Sequence, residues 1–160
     1  MVLTTLSALV LSLGLLAGNV LATPAQEMDA WGDVQTAHLK FRAASSPDTY
    51  DLTVQADGNA VNTGREKLDI GLVDAPDYFA VSLCKFKTPG KVEISSKVAS
   101  DRYTQQVVID PPQPIISVKC QGMCVQTYGA CYDTRGQPVG PCCNGFCMAT
   151  RCRPWNIGHG

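Results

Sequence analysis

Histidine is nearly missing from this chain: His38 and the penultimate His159 are the only two in 160 residues. A zinc site would want histidines or further cysteine pairs at finger-like spacing, so neither a metal nor a cofactor is expected. With the terminus set aside, only His38 is left for a Ser-His-Asp site, and it falls in an alternating strand where a solvent-facing role fits better. The carboxylates Asp48, Asp51, Asp74 and Asp77 fall in or beside turns, so no catalytic activity is expected. Basic runs are also missing and the net charge is -1, which argues against a nucleic-acid partner. No Asn-x-Ser/Thr sequon occurs, so N-glycosylation is not expected. No Lys/Arg pair precedes the cysteine-rich end, so excision at a dibasic site is not indicated. No stretch shows the periodicity of an amphipathic helix.

Charge is lacking in one further place: no charged side chain comes before Glu27. From Ala8 to Ala17 the chain is almost wholly apolar, and Val20-Leu21-Ala22 puts small residues at the -3 and -1 positions of a signal peptidase site. Residues 1–22 are therefore expected to be a signal peptide, with a cut after Ala25 as the alternative. A membrane anchor fits less well, because the apolar run is short and Gly14, Gly18 and Asn19 interrupt it. Secretion with no anchor left after removal is the expectation. About 138 residues then remain, enough for one core and a small satellite. Residues 23–33 read as a loose mature N-terminus.

Residues 34–119 carry period-two patterns. Ala37, Leu39 and Phe41 alternate with His38, Lys40 and Arg42; Tyr50, Leu52 and Val54 alternate with Asp51 and Thr53; Leu68, Ile70 and Leu72 alternate with Asp69 and Gly71. Alternation sends one set to a core and the other to water. Phe79, Val81 and Leu83, with Tyr78, Ala80, Cys84 and Phe86 on the opposite parity, read as a strand covered on both faces. Shorter strands are expected around Val92 and Ile94, Val107 and Ile109, and Ile116 to Cys120. Asp57-Gly58-Asn59, Asp74-Ala75-Pro76-Asp77 and Thr88-Pro89-Gly90 carry turn chemistry. The three prolines of Asp110-Pro111-Pro112-Gln113-Pro114 read as a stiff connection between strands. The fold class expected is all-β, a small β-sandwich or barrel.

Residues 120–160 hold seven of the eight cysteines, and the last six are spaced C-x6-C-x10-CC-x3-C-x4-C. An even cysteine count in an exported chain implies disulfides, with no free thiol. So short a tail cannot bury a core that offsets its chain entropy, so it needs the staples. Tyr128, Tyr132, Phe146 and Trp155 are many aromatics for so small a module. Exposed beside Arg151 and Arg153, they would make a binding surface. The alternative is that they pack over the disulfides or onto the body. Arg135 lies near the centre of the longest loop between tail cysteines, Tyr132 to Pro141.

The cysteine spacing resembles the inhibitor cystine knot, or knottin, pattern. Pro111-Pro112-Gln113-Pro114, Cys120-Gln121-Gly122-Met123-Cys124 and Val139-Gly140-Pro141-Cys142-Cys143-Asn144-Gly145-Phe146-Cys147 together resemble fungal small secreted cysteine-rich proteins, many of them candidate effectors. The knottin resemblance implies Cys124–Cys143, Cys131–Cys147 and Cys142–Cys152, which leaves Cys84–Cys120. The resemblance to fungal small secreted proteins implies a non-enzymatic effector or elicitor at a host interface, binding an extracellular host protein. Peptidase inhibition through the knot loop, with Arg135 as anchor, is one alternative. Binding of cell-wall polysaccharide such as chitin is the other. The candidate contact residues are Tyr128, Tyr132, Arg135, Phe146, Arg151 and Trp155.

Overall fold

A computed structural model describes residues 34–155. The expected signal peptide, the expected loose N-terminus and His159 lie outside the described residues. Ten strands and one helical turn follow in order: β1 (Thr36–Ala43), β2 (Thr49–Gln55), β3 (Asp57–Asn62), β4 (Ile70–Ala75), α1 (Ala80–Leu83), β5 (Cys84–Lys87), β6 (Glu93–Val98), β7 (Gln105–Gln113), β8 (Ser117–Gln121), β9 (Phe146–Met148) and β10 (Arg151–Arg153). The protein is nearly all β, and its C-terminal region is rich in disulfides. No helix among the described residues is long and apolar enough to cross a membrane.

An antiparallel five-stranded sheet runs β2-β1-β4-β7-β6, and an antiparallel three-stranded sheet runs β3-β8-β5. The alternation in β1 sends Ala37, Leu39 and Phe41 into the core and His38, Lys40 and Arg42 outward. These residues join Val54, Ile70, Val73, Val107 and Ile109 of the same sheet, and Phe86, Val118 and Cys120 of the smaller one, in a single apolar cluster. The edge strand β6, Glu93-Ile94-Ser95-Ser96-Lys97-Val98, is exposed along its whole length. Its charged and hydroxyl side chains suit an edge that must not recruit another strand. Cys84 and Cys120 are direct partners across β5 and β8, and their disulfide ties the two strands together.

Several local readings of the sequence differ from the structure. Leu72, expected on the core side of its strand, lies on the outer face, because the register of β4 shifts after Ile70 and Val73 takes the core position. Asp74 and Ala75, expected in a turn, are the last residues of β4. Residues Ala80–Leu83 form one helical turn, and the strand starts only at Cys84. Apolar residues on both parities fit a covered strand and a buried helical turn alike. Asp57-Gly58-Asn59 does not end a strand but opens β3. Gly58 takes φ +83° where the register with β8 shifts, so the turn residues serve a bulge. Pro111 and Pro112 belong to β7 itself. They fall where its register with β4 shifts, between the pairs Leu72–Val108 and Ile70–Gln113, and there no ladder amide is required.

Candidate functional site

The tail is built on three disulfides. The structure joins Cys124 to Cys143, Cys131 to Cys147 and Cys142 to Cys152: first to fourth, second to fifth and third to sixth. A bridge closing a loop of ten to nineteen residues contributes on the order of 3 kcal/mol. The sulfurs of Cys131, Cys142 and Cys152 lie within 4.8 Å of one another, but all three are in disulfides and offer no thiolate to a metal.

The tail is also fastened to the body, in a way the sequence does not announce. Cys124 and Cys143 belong to the body's own core cluster. Gln35, just before β1, donates to the Cys124 carbonyl at 3.3 Å and accepts from the Cys124 N–H at 2.9 Å. The buried Tyr78 hydroxyl donates to the Gly122 carbonyl at 2.8 Å, and burial pushes its pKa up. Asn144, only 3 % exposed, accepts the Gln105 N–H at 3.0 Å and donates to the Pro76 carbonyl. The next residue, Gly145, has φ +120°, and a Cβ there would lie 1.8 Å from the Arg153 carbonyl oxygen. The chain can pass Arg153 at this point only as glycine.

That crossing brings β9 against β10, with Phe146 opposite Arg153, Cys147 opposite Cys152 and Met148 opposite Arg151. Opposite residues of an antiparallel pair share a face. Phe146, Met148, Arg151 and Arg153 therefore stand on one face, and the two cysteines on the other. Trp155 follows on, its ring 6.1 Å from that of Phe146. The Arg153 guanidinium sits 5.9 Å over the Tyr128 ring, and Arg151 donates to the Tyr128 carbonyl at 2.9 Å. Tyr128, Phe146, Met148 and Trp155 are all exposed. The hairpin turns through Ala149 and Thr150, at φ 49° and 65°. Two-residue turns of this kind favour Asn-Gly, so the tip is strained for the residues it has.

Of the expected contact residues, Tyr128, Phe146, Arg151 and Trp155 thus come together on and around the hairpin. Tyr132 and Arg135 belong to the separate loop between Cys131 and Cys142, where Tyr132 bridges to Pro138. Asp133 organises that loop. Its carboxylate accepts the N–H groups of Arg135 and Gln137, each at 2.8 Å, and Arg135 Nε and a terminal nitrogen at 3.1 and 3.0 Å. The Gln137 N–H, helped by Arg135, holds the Asp133 carboxyl below its usual range. The Arg135 side chain is nevertheless 83 % exposed. Met148 did not stand out in the sequence. Its signal is position: two residues after Phe146 in a strand, it shares that side chain's face.

In the body, His38 stands on the outer face of β1 with Nδ1 2.5 Å from Asp77 Oδ2. Asp77 also accepts the His38 N–H at 3.1 Å. This is the orienting half of a Ser-His-Asp arrangement. Among the described residues no hydroxyl is hydrogen-bonded to the other ring nitrogen. No protein-family model matches the chain, and no curated protein or solved structure is significantly similar to it.

Proposed function

We propose that this is a secreted, non-catalytic interaction protein, a candidate fungal effector or elicitor that meets an extracellular host protein through its tail. The observation that carries the reading is the β9–β10 hairpin. It displays Phe146, Met148, Arg151, Arg153 and Trp155 beside Tyr128, on a scaffold of disulfide bridges. Aromatics and arginine dominate interface hot spots. A surface held rigid before it meets a partner loses little entropy on binding. The four disulfides suit an extracellular setting.

The test passes host extracellular protein over the immobilised oxidised protein and over a Phe146→Ala/Arg151→Ala/Trp155→Ala variant. A host protein held by the first and lost from the second supports the reading. Equal retention on both removes the hairpin as the contact surface.

One observation favours a second reading, peptidase inhibition: Asp133 pre-shapes its loop and displays Arg135. A trypsin-like pocket accepts such a side chain. Slowing of a trypsin-like peptidase that is lost in Arg135→Ala would support it. No slowing at micromolar concentration by the wild-type protein would remove it.

A further inference from the structure

The outer face of the five-stranded sheet carries an open hollow of about 740 Å³. One row of side chains crosses all five strands in register: Asp51, Lys40, Asp74, Gln106 and Lys97. Outward residues of a sheet ordinarily stand in water. Asp74 and Gln106 do not: they are 8 % and 9 % exposed. Pro76 and the turn from Ala99 to Thr104 wall the hollow around them.

The floor is fixed. Asp74 accepts Arg42 Nε at 2.7 Å, an Arg42 terminal nitrogen at 2.6 Å and Gln106 Nε2 at 2.6 Å. The wall is fixed as well. The Asp101 carboxylate accepts the N–H groups of Tyr103 and Thr104 at 2.8 and 2.9 Å and the Thr104 hydroxyl at 2.6 Å. Across the turn, Ala99 N–H meets the Thr104 carbonyl at 2.9 Å.

Every charge in the lining has a partner inside the protein. Lys40 faces Asp51 at 3.7 Å, Arg42 holds Asp74, His38 holds Asp77, and Asp101 is taken up by its own turn. Asp51, Asp74 and Asp101 stand against Lys40 and Arg42 in the lining, so an anion on the remaining donors would also face three carboxylates, and a cation on Asp74 would have to displace Arg42. A charged ligand is therefore disfavoured. Hydrogen-bonding capacity remains all the same. Arg42 is half exposed and gives only two of its five donors to Asp74, Lys40 and Asp51 are held only by a long surface contact, and Gln106 keeps its side-chain oxygen. Leu72 and Pro76 add apolar lining.

We infer that this hollow is a binding site for a neutral oligosaccharide. Donors and acceptors set around small apolar surfaces match the hydroxyls and C–H faces of uncharged sugar rings. A hollow of this volume holds a segment of a few rings. The site is separate from the tail surface and does not depend on the function proposed for it.

The test is an NMR titration of the oxidised 15N-labelled protein with chitohexaose, cellohexaose, laminarihexaose and mannohexaose, with a polygalacturonate oligomer as the charged comparison. The expected result is saturable shifts in the amides of Lys40, Arg42, Asp74, Gln106 and the turn from Ala99 to Thr104, caused by at least one neutral probe. The Lys40→Ala/Asp51→Ala variant alters only exposed side chains. It should keep the melting temperature and bind about tenfold more weakly, as the loss of one or two hydrogen bonds requires. Four results overturn the proposal: no shifts with any probe at millimolar concentration, shifts confined to residues 124–155, a response to polygalacturonate alone, or unchanged affinity in the variant.

Discussion

In the sandwich, Leu39, Phe41, Ile70, Val73, Ile109 and Val118 are fully buried, and most polar side chains of the same strands face out, Gln105 being buried. In the tail the buried residues are cysteines other than Cys147, with Asn144 and Gly145, and Tyr128, Tyr132, Val139, Phe146, Met148 and Trp155 are exposed. The sandwich spends its large apolar side chains on cohesion. The tail is held by cross-links that act largely on the unfolded chain, so its large side chains are released to the surface. The join between the two uses both means, since Cys124–Cys143 is a tail cross-link within the body's apolar cluster.

The most forceful way to break this comparison is to remove that bridge. Cys124→Ala with Cys143→Ala should cost about 3 kcal/mol for the lost cross-link and about 2 kcal/mol more for the cavities. Near-UV circular dichroism should then report loosening around Tyr78. The Cys131–Cys147 bridge closes a loop of similar length outside that cluster, so Cys131→Ala with Cys147→Ala should lower stability through the cross-link and leave the body's core intact. Equal effects on the body would mean that the two cores are not joined. Gly145→Ala comes next, at about 4 kcal/mol, because its Cβ has to displace the Arg153 carbonyl. Denaturant unfolding should show the loss, and the β9–β10 amides should exchange first.

Asn144→Ala removes the acceptor for the Gln105 N–H and the donor to the Pro76 carbonyl, at about 2 kcal/mol. All four disulfides should still map to their present partners. A change in thermal unfolding of the tail with none in the body would show that Asn144 fastens only its own loop.

The smallest expected effect is one of pH, and it occurs in both regions. Hydrogen bonds from Thr104 hold the Asp101 carboxyl low in the body, and those from Gln137 and Arg135 do the same for Asp133 in the tail. A carboxylate with a depressed folded-state pKa stabilises the fold fully above its unfolded value and loses that contribution as pH falls through the folded value. Both turns should therefore hold at neutral pH and loosen only below about pH 4. The amide shifts of Thr104 and Gln137 would record it. Loosening of either turn near neutrality would contradict these hydrogen bonds.

How much of this was legible depends on the kind of signal. β1 and β2 could be read because their parities separate cleanly. Residues 79–83 could not, since Phe79, Ala80, Val81 and Leu83 are apolar on both parities. β3 was hidden because Asp57-Gly58-Asn59 has the composition of a turn, and only pairing with β8 makes it a bulge. The six tail cysteines allow fifteen pairings, so their order came from resemblance and not from spacing. In the tail, the small size of the module made some exposed aromatics expected but left packing over the disulfides open, and Arg135 was visible as a loop charge. The fastening was not visible. Gln35 meets Cys124 across 89 positions and Asn144 meets Pro76 across 68, and single polar residues at such separations leave no periodic trace.

The place of Cys143 also sets an order of events. The body's core holds a residue made 108 positions after Gln35, so synthesis of the sandwich strands does not complete it. Until that last stretch is made and oxidised, the body lacks part of its own interior. In a reducing compartment the chain would stay unfinished in its sandwich as well as its tail. Oxidation of the tail thus also completes the body's interior.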